Sequence, residues 1–184
     1  AEVSDISNAI YSKTDAIMLS GETAYGSYPV ESVKTMTKVA EEVEKTLPCM
    51  HDLPVVVINN EISAFLTKKA VESAIDLSCK AIVADSLSGR TIRGLAAYRG
   101  KKTVYAQCYN KRIMRELALS FGVEAHYMEP RDNAEDFIRA TLKSLLHQNY
   151  LEEDDRIVIL AGNFGKSHGA SYIEISSVGN LKRE

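Results

Sequence analysis

The sequence predicts an α/β fold: a doubly wound, mostly parallel five-stranded sheet with one antiparallel edge strand, preceded by a helix–strand–helix segment. Short apolar runs alternate with amphipathic stretches of helical length along residues 62–161, and strands separated by helices pair in parallel. The last apolar run, 172–176, follows its predecessor through a loop of about ten residues without a helix, so it pairs antiparallel at an edge.

A linker is predicted over residues 48–60. The stretch 47–54 contains two of the four prolines and interrupts the helical periodicity. It separates residues 1–47 from an α/β domain at residues 61–184. From the residues alone, Val55–Ile58 is either a strand or an extended part of the linker.

The elements of both parts follow from the spacing of apolar residues and from end signals. Pro29 suits the first turn of a helix, and Asn59 or Asn60 suits the cap of another. In order, we expect helix 3–12, strand 15–19, helix 29–46, helix 62–78, strand 81–84, helix 90–99, strand 103–107, helix 111–120, strand 123–128, helix 133–148, strand 156–161 and strand 172–176.

Composition excludes several classes of protein. The formal charge of −3 comes without a stripe of Lys or Arg, which argues against nucleic-acid binding. No apolar run approaches ~18 residues and the start lacks a leader pattern, so we expect no membrane contact and a cytoplasmic location. The three cysteines and four histidines show no ligand spacing, which predicts reduced thiols and no metal.

The turn between strand 81–84 and helix 90–99 has the chemistry of a phosphate cradle. Gly89 lets backbone N–H groups turn toward a ligand, Arg90 offers a charged fork, and the helix N-terminus adds partial positive charge. The hydroxyl donors are Ser86, Ser88 and Thr91. An ordinary βα turn, in which the hydroxyls only cap the helix, is an equally good interpretation.

A second polar loop, 161–169, follows strand 156–161. Lys166, Ser167, His168 and Gly169 lie in it, and Gly165–Ser167 suggests a nucleotide P-loop. That motif requires a glycine where Leu160 stands and a helix afterwards, so it is rejected. Two polar loops at one sheet edge form a plausible anion site, and a solvated hairpin loop is the alternative.

In the first part, Ser20 and Glu22 follow the strand predicted at 15–19. A carboxylate without a neighbouring base or metal does not specify a reaction. By itself Glu22 is better explained as a turn or helix-end residue.

Several segments resemble pyruvate kinase. Residues 1–10 and 17–24, with Gly26 and Tyr28–Pro29, resemble the end of that family's catalytic barrel. Residues 88–91, with Tyr98–Arg99, resemble the effector loop of its C-terminal domain, and the order of elements over 55–178 matches as well.

The resemblance implies a C-terminal fragment of an enzyme that transfers a phosphoryl group from phosphoenolpyruvate to ADP. The family's (β/α)8 barrel needs ~250 residues, so residues 1–47 would be its remnant, with Ser20 and Glu22 at the rim of the active site. We therefore expect no catalysis from this chain alone and no cofactor in it. Mg²⁺, K⁺ and a homotetramer are expected for the intact enzyme.

For the α/β domain the resemblance implies an allosteric module that contributes to a subunit interface. Its effector would be a sugar phosphate or a nucleotide monophosphate. Leu87 stands where a polar residue is frequent, and Phe137 falls roughly where an arginine holds a second phosphate, so one phosphate or no effector fits best. The residues carried over are Ser86, Ser88, Gly89, Arg90 and Thr91 for the phosphate and Lys166, Ser167, His168 and Gly169 for the closing loop.

Two alternatives belong to other classes of function. One is a structural oligomerisation module that binds no metabolite. The other is a free-standing enzyme with a site in residues 55–184, and it is the weakest, because no nucleophile–base pair or metal cluster is visible there.

Overall fold

The computed structural model describes residues 2–47, 60–162, 164 and 169–182. The chain divides into two compact units, residues 1–49 and 50–184. Residues 55–58, for which the sequence left two interpretations, lie outside the described part.

The described residues of the first unit form three helices: α1 (Glu2–Tyr11), α2 (Gly21–Ala24) and α3 (Pro29–Thr46). The Tyr11 and Thr46 hydroxyls lie 3.0 Å apart and tie the end of α1 to the end of α3. Pro29 occupies the first turn of α3, as predicted. Within 2–47 Ile10 alone is buried, so this unit encloses little core of its own.

The strand predicted at 15–19 is wrong, because these residues form an irregular segment. A strand is stable when its backbone N–H and C=O groups pair with a neighbouring strand, and residues 2–47 provide none. The Met18 side chain is 86% exposed at this point. An apolar run is therefore not sufficient to form a strand.

The second unit is built on one five-stranded sheet in the order β3-β2-β1-β4-β5. The first four strands are parallel, and β5 pairs antiparallel with β4 at the edge, which confirms the predicted fold class. The strands are β1 (Ala81–Ser86), β2 (Thr103–Cys108), β3 (Val123–Tyr127), β4 (Arg156–Ala161) and β5 (Tyr172–Ser177).

Helices cover both faces of this sheet. Side chains alternate between the faces along a strand, so Ile82 and Ala84 pack in one cluster while Ala81 and Val83 pack in the other. The first cluster receives apolar residues from α4 (Glu61–Asp76), α5 (Arg90–Ala97) and α6 (Lys111–Leu117). The second receives them from α7 (Ala134–His147) and α8 (Val178–Leu181).

Side-chain caps begin four of the described helices, and at α8 the Ser177 Oγ accepts the Asn180 N–H. The Oδ1 atoms of Asn60, Asn110 and Asn133 accept backbone N–H groups at the starts of α4, α6 and α7, which satisfies donors that have no partner inside the helix. Asn60 is thus the cap of α4. Helix α5 differs, because its N-cap is Gly89 and no side chain caps it.

The predicted and observed ends of the elements of the second unit differ by at most three residues, and the bounds of β4 coincide with the prediction, as do those of α3 in the first unit. Helices α4 and α5 end before Ser78 and Arg99, which both have positive φ and so leave the helical conformation. Helices α2 and α8 have four residues each and were not predicted, because a single turn shows no periodicity.

Candidate phosphate-binding site

The candidate site lies where the strand order of the sheet reverses. From β1 the chain continues to β2 and β3 on one side, and it returns to β4 and β5 on the other. Ligands of open α/β sheets bind outside the carboxyl ends of the strands at such a switch point. Two loops begin at this switch point. One follows β1 at residues 87–89, and the other follows β4 at residue 162.

Ser86 and Gly89 shape the turn between β1 and α5. The Gly89 N–H donates to the Ser86 Oγ at 2.8 Å. Gly89 has φ of +81°, and a Cβ there would lie 2.8 Å from the Arg93 Nη1 and 3.2 Å from the Ile113 Cγ2. The turn therefore requires glycine for its conformation and for its close contacts.

The five residues expected to hold a phosphate divide by exposure. Ser88 and Arg90 are exposed, and the Arg90 Nε donates to the Ser88 Oγ at 3.2 Å. Gly89 is buried, and Ser86 and Thr91 are 1% and 7% exposed. The Ser88 hydroxyl and the Arg90 guanidinium are thus the side-chain groups that a ligand reaches from solvent.

Arg93, a residue of helix α5, holds the loop that precedes this helix. The sequence did not predict this role. The Arg93 Nη1 donates to the Ser88 carbonyl oxygen at 3.2 Å and its Nη2 donates to Glu116 at 3.1 Å. The Arg112 Nε also donates to Glu116, at 2.8 Å. These two arginines, Arg112 first, lower the pKa of Glu116 and keep it ionised. No local signal pairs Arg93 with a residue on another helix.

The second loop meets the end of β1 through Phe164. The Phe164 N–H donates to the Asp85 Oδ2 at 2.6 Å. Gly169 has φ of +77° and lies beside the start of α4, where a Cβ would be 3.4 Å from the Asn60 side-chain nitrogen. Lys166, Ser167 and His168 lie outside the described residues.

Asp85 is a buried carboxylate that was not among the residues expected to bind the phosphate. It is 1% exposed, and its Oδ2 also accepts from the Tyr109 O–H at 2.9 Å. Burial, followed by the nearby charge of Asp85, raises the pKa of Tyr109, which therefore stays a donor. The Phe164 ring lies 5.8 Å from that of Phe137 and 6.4 Å from that of Tyr172.

Buried polar atoms surround this carboxylate. Gln107 is the register partner of Asp85 on β2 and is 1% exposed. Its Nε2 has no hydrogen-bond partner among the residues that the structure describes, and the same holds for the Tyr172 hydroxyl. Burial, followed by the charges of Glu174 and Asp85, raises the pKa of Tyr172 to about 12.

In the first unit, Glu22 serves the local turn. The Ser20 N–H donates to the Glu22 Oε2 at 2.9 Å, and Ser20 is the N-cap of α2. Backbone N–H donors lower the pKa of this fully exposed carboxyl group. A Cβ at Gly26 would lie 2.3 Å from the Glu22 carbonyl oxygen, so the turn also requires glycine there.

The family model of the pyruvate kinase alpha/beta domain matches residues 65–176. The chain belongs to the pyruvate kinase family. The model of the pyruvate kinase barrel domain matches residues 1–33. Both matches confirm the resemblance and place a part of the barrel before the α/β domain.

Among curated relatives, the pyruvate kinase of Borreliella burgdorferi is 38% identical over 97% of this chain. The pyruvate kinase of Bacillus licheniformis is 34% identical over 98% of the chain. The chain spans 38% and 31% of the lengths of these pyruvate kinases, about a third.

Solved pyruvate kinase structures share the fold. A Cryptosporidium parvum pyruvate kinase has a TM-score of 0.82 and 25% identity, with 96% of this chain and 36% of that chain covered. Another, in complex with ADP, has a TM-score of 0.79 and 26% identity, with 97% and 37% covered.

The described residues contain no group of three or more His, Cys, Asp or Glu side chains that could hold a metal ion. None of their helices combines the length and apolar character needed to cross a membrane.

Proposed function

We propose that this chain is the C-terminal part of a pyruvate kinase, the glycolytic enzyme that converts phosphoenolpyruvate and ADP to pyruvate and ATP. The order of the two family matches, barrel before α/β domain, supports this proposal. Mg²⁺ and K⁺ would assist the reaction in the intact tetrameric enzyme. The described residues of this chain contain no cluster of three or more His, Cys, Asp or Glu side chains to hold either ion.

The chain by itself is proposed to be catalytically inactive. Of the expected rim residues, Glu22 accepts a backbone N–H of its own turn, and residues 2–47 form no strand of a barrel. A coupled assay for pyruvate tests this, with a complete pyruvate kinase as the positive control. Pyruvate formation by the purified chain above the buffer rate would overturn the proposal.

The proposed role of the α/β domain is to bind an effector that carries one phosphate, at the turn 86–91. The observation that carries this role is the turn itself, where Gly89 with positive φ begins α5 at the switch point. The first N–H groups of a helix have no intrahelical partner and favour an anion. Exposed Ser88 and Arg90 add a hydroxyl and a guanidinium, which strengthen phosphate binding.

A second candidate function is an oligomerisation module that binds no metabolite, and a separate observation supports it. Ser86 and Thr91 are buried, and the Ser86 Oγ already accepts the Gly89 N–H. In this alternative the hydroxyl groups only stabilise the turn, and the exposed apolar side chains meet another subunit.

Calorimetric titration separates the two candidates. Inorganic phosphate, glucose 6-phosphate and AMP are titrated into the chain and into an Arg90→Ala variant. We expect binding of at least one compound and a loss of about tenfold in affinity for Arg90→Ala, because a charge-assisted hydrogen bond is removed. Arg139→Ala, an exposed arginine on α7, is the matched control and should bind like the parent chain.

Absence of binding across the panel would overturn the effector site. Concentration-dependent self-association in sedimentation experiments, together with that absence, would then support the oligomerisation module.

A further inference from the structure

We propose that the free edge of β3 is a docking surface for a second copy of this chain, whose β3 pairs with it antiparallel about Ala125. Strand β3 ends the strand order of the sheet, and among the described strands only β2 lies beside it. This edge lies at the opposite end of the sheet from β5. The inference goes beyond the proposed function and does not depend on the phosphate turn.

The backbone of β3 bonds to β2 at every second residue. The Gly122 carbonyl oxygen accepts the Val104 N–H, and the Met128 N–H donates to the Cys108 carbonyl oxygen, both at 2.9 Å. Because the ladder of a parallel pair uses alternate residues, the even-numbered residues of β3 face β2. The odd-numbered residues direct their backbone groups to the free edge, and these are Val123, Ala125 and Tyr127.

Two N–H donors are available at this edge. The Val123 N–H donates to the Ser120 carbonyl oxygen in the preceding turn. Within the described part of the chain, no acceptor contacts the N–H of Ala125 or of Tyr127. In an antiparallel pair about Ala125, these two N–H groups meet the carbonyl oxygens of the partner's Ala125 and the partner's Val123.

The side chains of β3 favour this register. With Ala125 opposite the partner's Ala125, Glu124 faces the partner's His126 and Val123 faces the partner's Tyr127. Opposite charges and pairs of aromatic and β-branched side chains stabilise antiparallel strands, and like charges directly opposite destabilise them. A pairing centred on Glu124 or on His126 would instead place two carboxylates or two imidazoles opposite each other.

The side chains of this edge are ordered by contacts within the chain and still reach solvent. The His126 Nε2 lies 3.4 Å from the Glu124 Oε1, and the His126 ring stacks on the Tyr150 ring at 5.6 Å. The Glu124 side chain is 38% exposed. On the other face, Tyr127 is exposed and its O–H donates to Glu129 at 2.6 Å.

Strand β3 also lacks the usual protection of an edge strand. Proline, lysine and β-bulges keep edge strands from pairing with other chains. Residues 123–127 contain neither proline nor lysine, and their register with β2 is continuous. Two strands of this length bury a small area, so we expect weak and reversible association.

Sedimentation velocity of the full chain, at concentrations up to about 1 mM, tests the pairing, since small interfaces are weak. We expect the chain to dimerise and Ala125→Pro to raise the Kd of dimerisation at least about tenfold. Proline at Ala125 removes an outward N–H and leaves the ladder to β2 intact, which an edge strand tolerates.

Ile175→Pro is the matched control on the other edge strand. The Val178 N–H donates to the Asp155 carbonyl oxygen, and the alternation of an antiparallel ladder then turns the Ile175 N–H away from β4. This variant should retain pairing through β3. Loss of dimerisation in Ile175→Pro, with no loss in Ala125→Pro, would assign the association to β5 and overturn the inference.

A charge exchange keeps the test decisive if Ala125→Pro does not fold. Glu124→Arg places a cation opposite the partner's His126 and should weaken dimerisation about fivefold. Adding His126→Glu to the same chain puts opposite charges face to face again and should restore dimerisation. Equal dimerisation of all three proteins would show that this pair is not at the interface.

Disulfide trapping reports the geometry directly. In the proposed register the two Cα atoms at position 125 are about 5.5 Å apart, which is within the range of a disulfide. Ala125→Cys should therefore form a covalent dimer on mild oxidation, above the background of the parent chain. Ala118→Cys, at the exposed end of α6, should not exceed that background.

The outcomes are independent of the proposed phosphate site. Arg90→Ala should dimerise like the parent chain, and a failure of phosphate binding leaves the β3 edge unaffected. A parent chain that stays monomeric at the highest concentration, or an Ala125→Cys variant that gives no covalent dimer, would overturn the inference.

Discussion

The Arg93 guanidinium donates to the Ser88 carbonyl oxygen at 3.2 Å and so ties the second turn of α5 to the loop that precedes the helix. We expect Arg93→Ala to weaken inorganic phosphate binding about fivefold, because one hydrogen bond that orders the loop is lost. Calorimetric titration measures this change.

Arg112→Ala is the control for Arg93→Ala. Arg112 shares the partner Glu116 with Arg93 but is not among the residues that contact Ser88. Its removal should leave phosphate affinity nearly unchanged. Equal effects of the two variants would show that the local positive charge, and not the hydrogen bond to Ser88, determines binding.

Gly89→Ala should lower the free energy of unfolding by about 1–2 kcal/mol, because an alanine at positive φ is strained. It should also weaken phosphate binding, since the new Cβ would lie 2.8 Å from the Arg93 Nη1 and displace it. Urea unfolding and calorimetry measure the two effects.

Gly122→Ala separates the two effects of Gly89→Ala. Gly122 also has positive φ, +66°, but a Cβ there meets nothing within 4 Å. This variant should show the loss of stability alone. A comparable loss of phosphate binding in Gly122→Ala would contradict the role assigned to the contact between Gly89 and Arg93.

Stability should fall between pH 9 and 11 through Cys108. Burial raises the pKa of this thiol from 9.0 to about 11. As the pH rises, the thiol ionises in the unfolded chain before it ionises in the folded one. The contribution of Cys108 to the free energy of unfolding is therefore complete below pH 9 and is lost by about pH 11. The expected loss is about 2–3 kcal/mol.

Urea unfolding at pH 8, 9, 10 and 11 measures the loss, with Cys108→Ala as the reference. The variant retains Cys79 and the tyrosines. The difference between the two proteins in how the free energy of unfolding changes with pH therefore reports the contribution of Cys108. Parallel pH profiles for the two proteins would show that this thiol does not contribute.

Gln107→Met should leave the free energy of unfolding unchanged or raise it by about 1 kcal/mol. The side chain is 1% exposed, and its Nε2 has no partner among the described residues, so an apolar side chain of similar length removes an unpaired donor. Gln107→Glu should cost more than about 3 kcal/mol, because it places a second carboxylate beside Asp85. Destabilisation by Gln107→Met in thermal unfolding would show that the amide makes an essential contact.

Much of the fold could be predicted from local patterns. Helix α3 begins at Pro29 as expected, and Asn60, one of the two expected caps, precedes α4, since a cap bonds to backbone N–H groups two or three residues away. The alternation of apolar strands and helices was sufficient to predict a mostly parallel sheet. The short connection between β4 and β5 was sufficient to predict that β5 pairs antiparallel at the edge.

The sequence by itself determined the strands and longer helices of the α/β domain, its sheet class, the family and the turn at Ser86–Thr91, because these depend on residues close together in the chain. Only the tertiary structure decided that residues 15–19 form no strand, and that Arg93 and Asp85 support the two loops. A strand needs a partner, and a hydrogen bond such as that between Asp85 and Phe164 exists only once packing brings distant residues together.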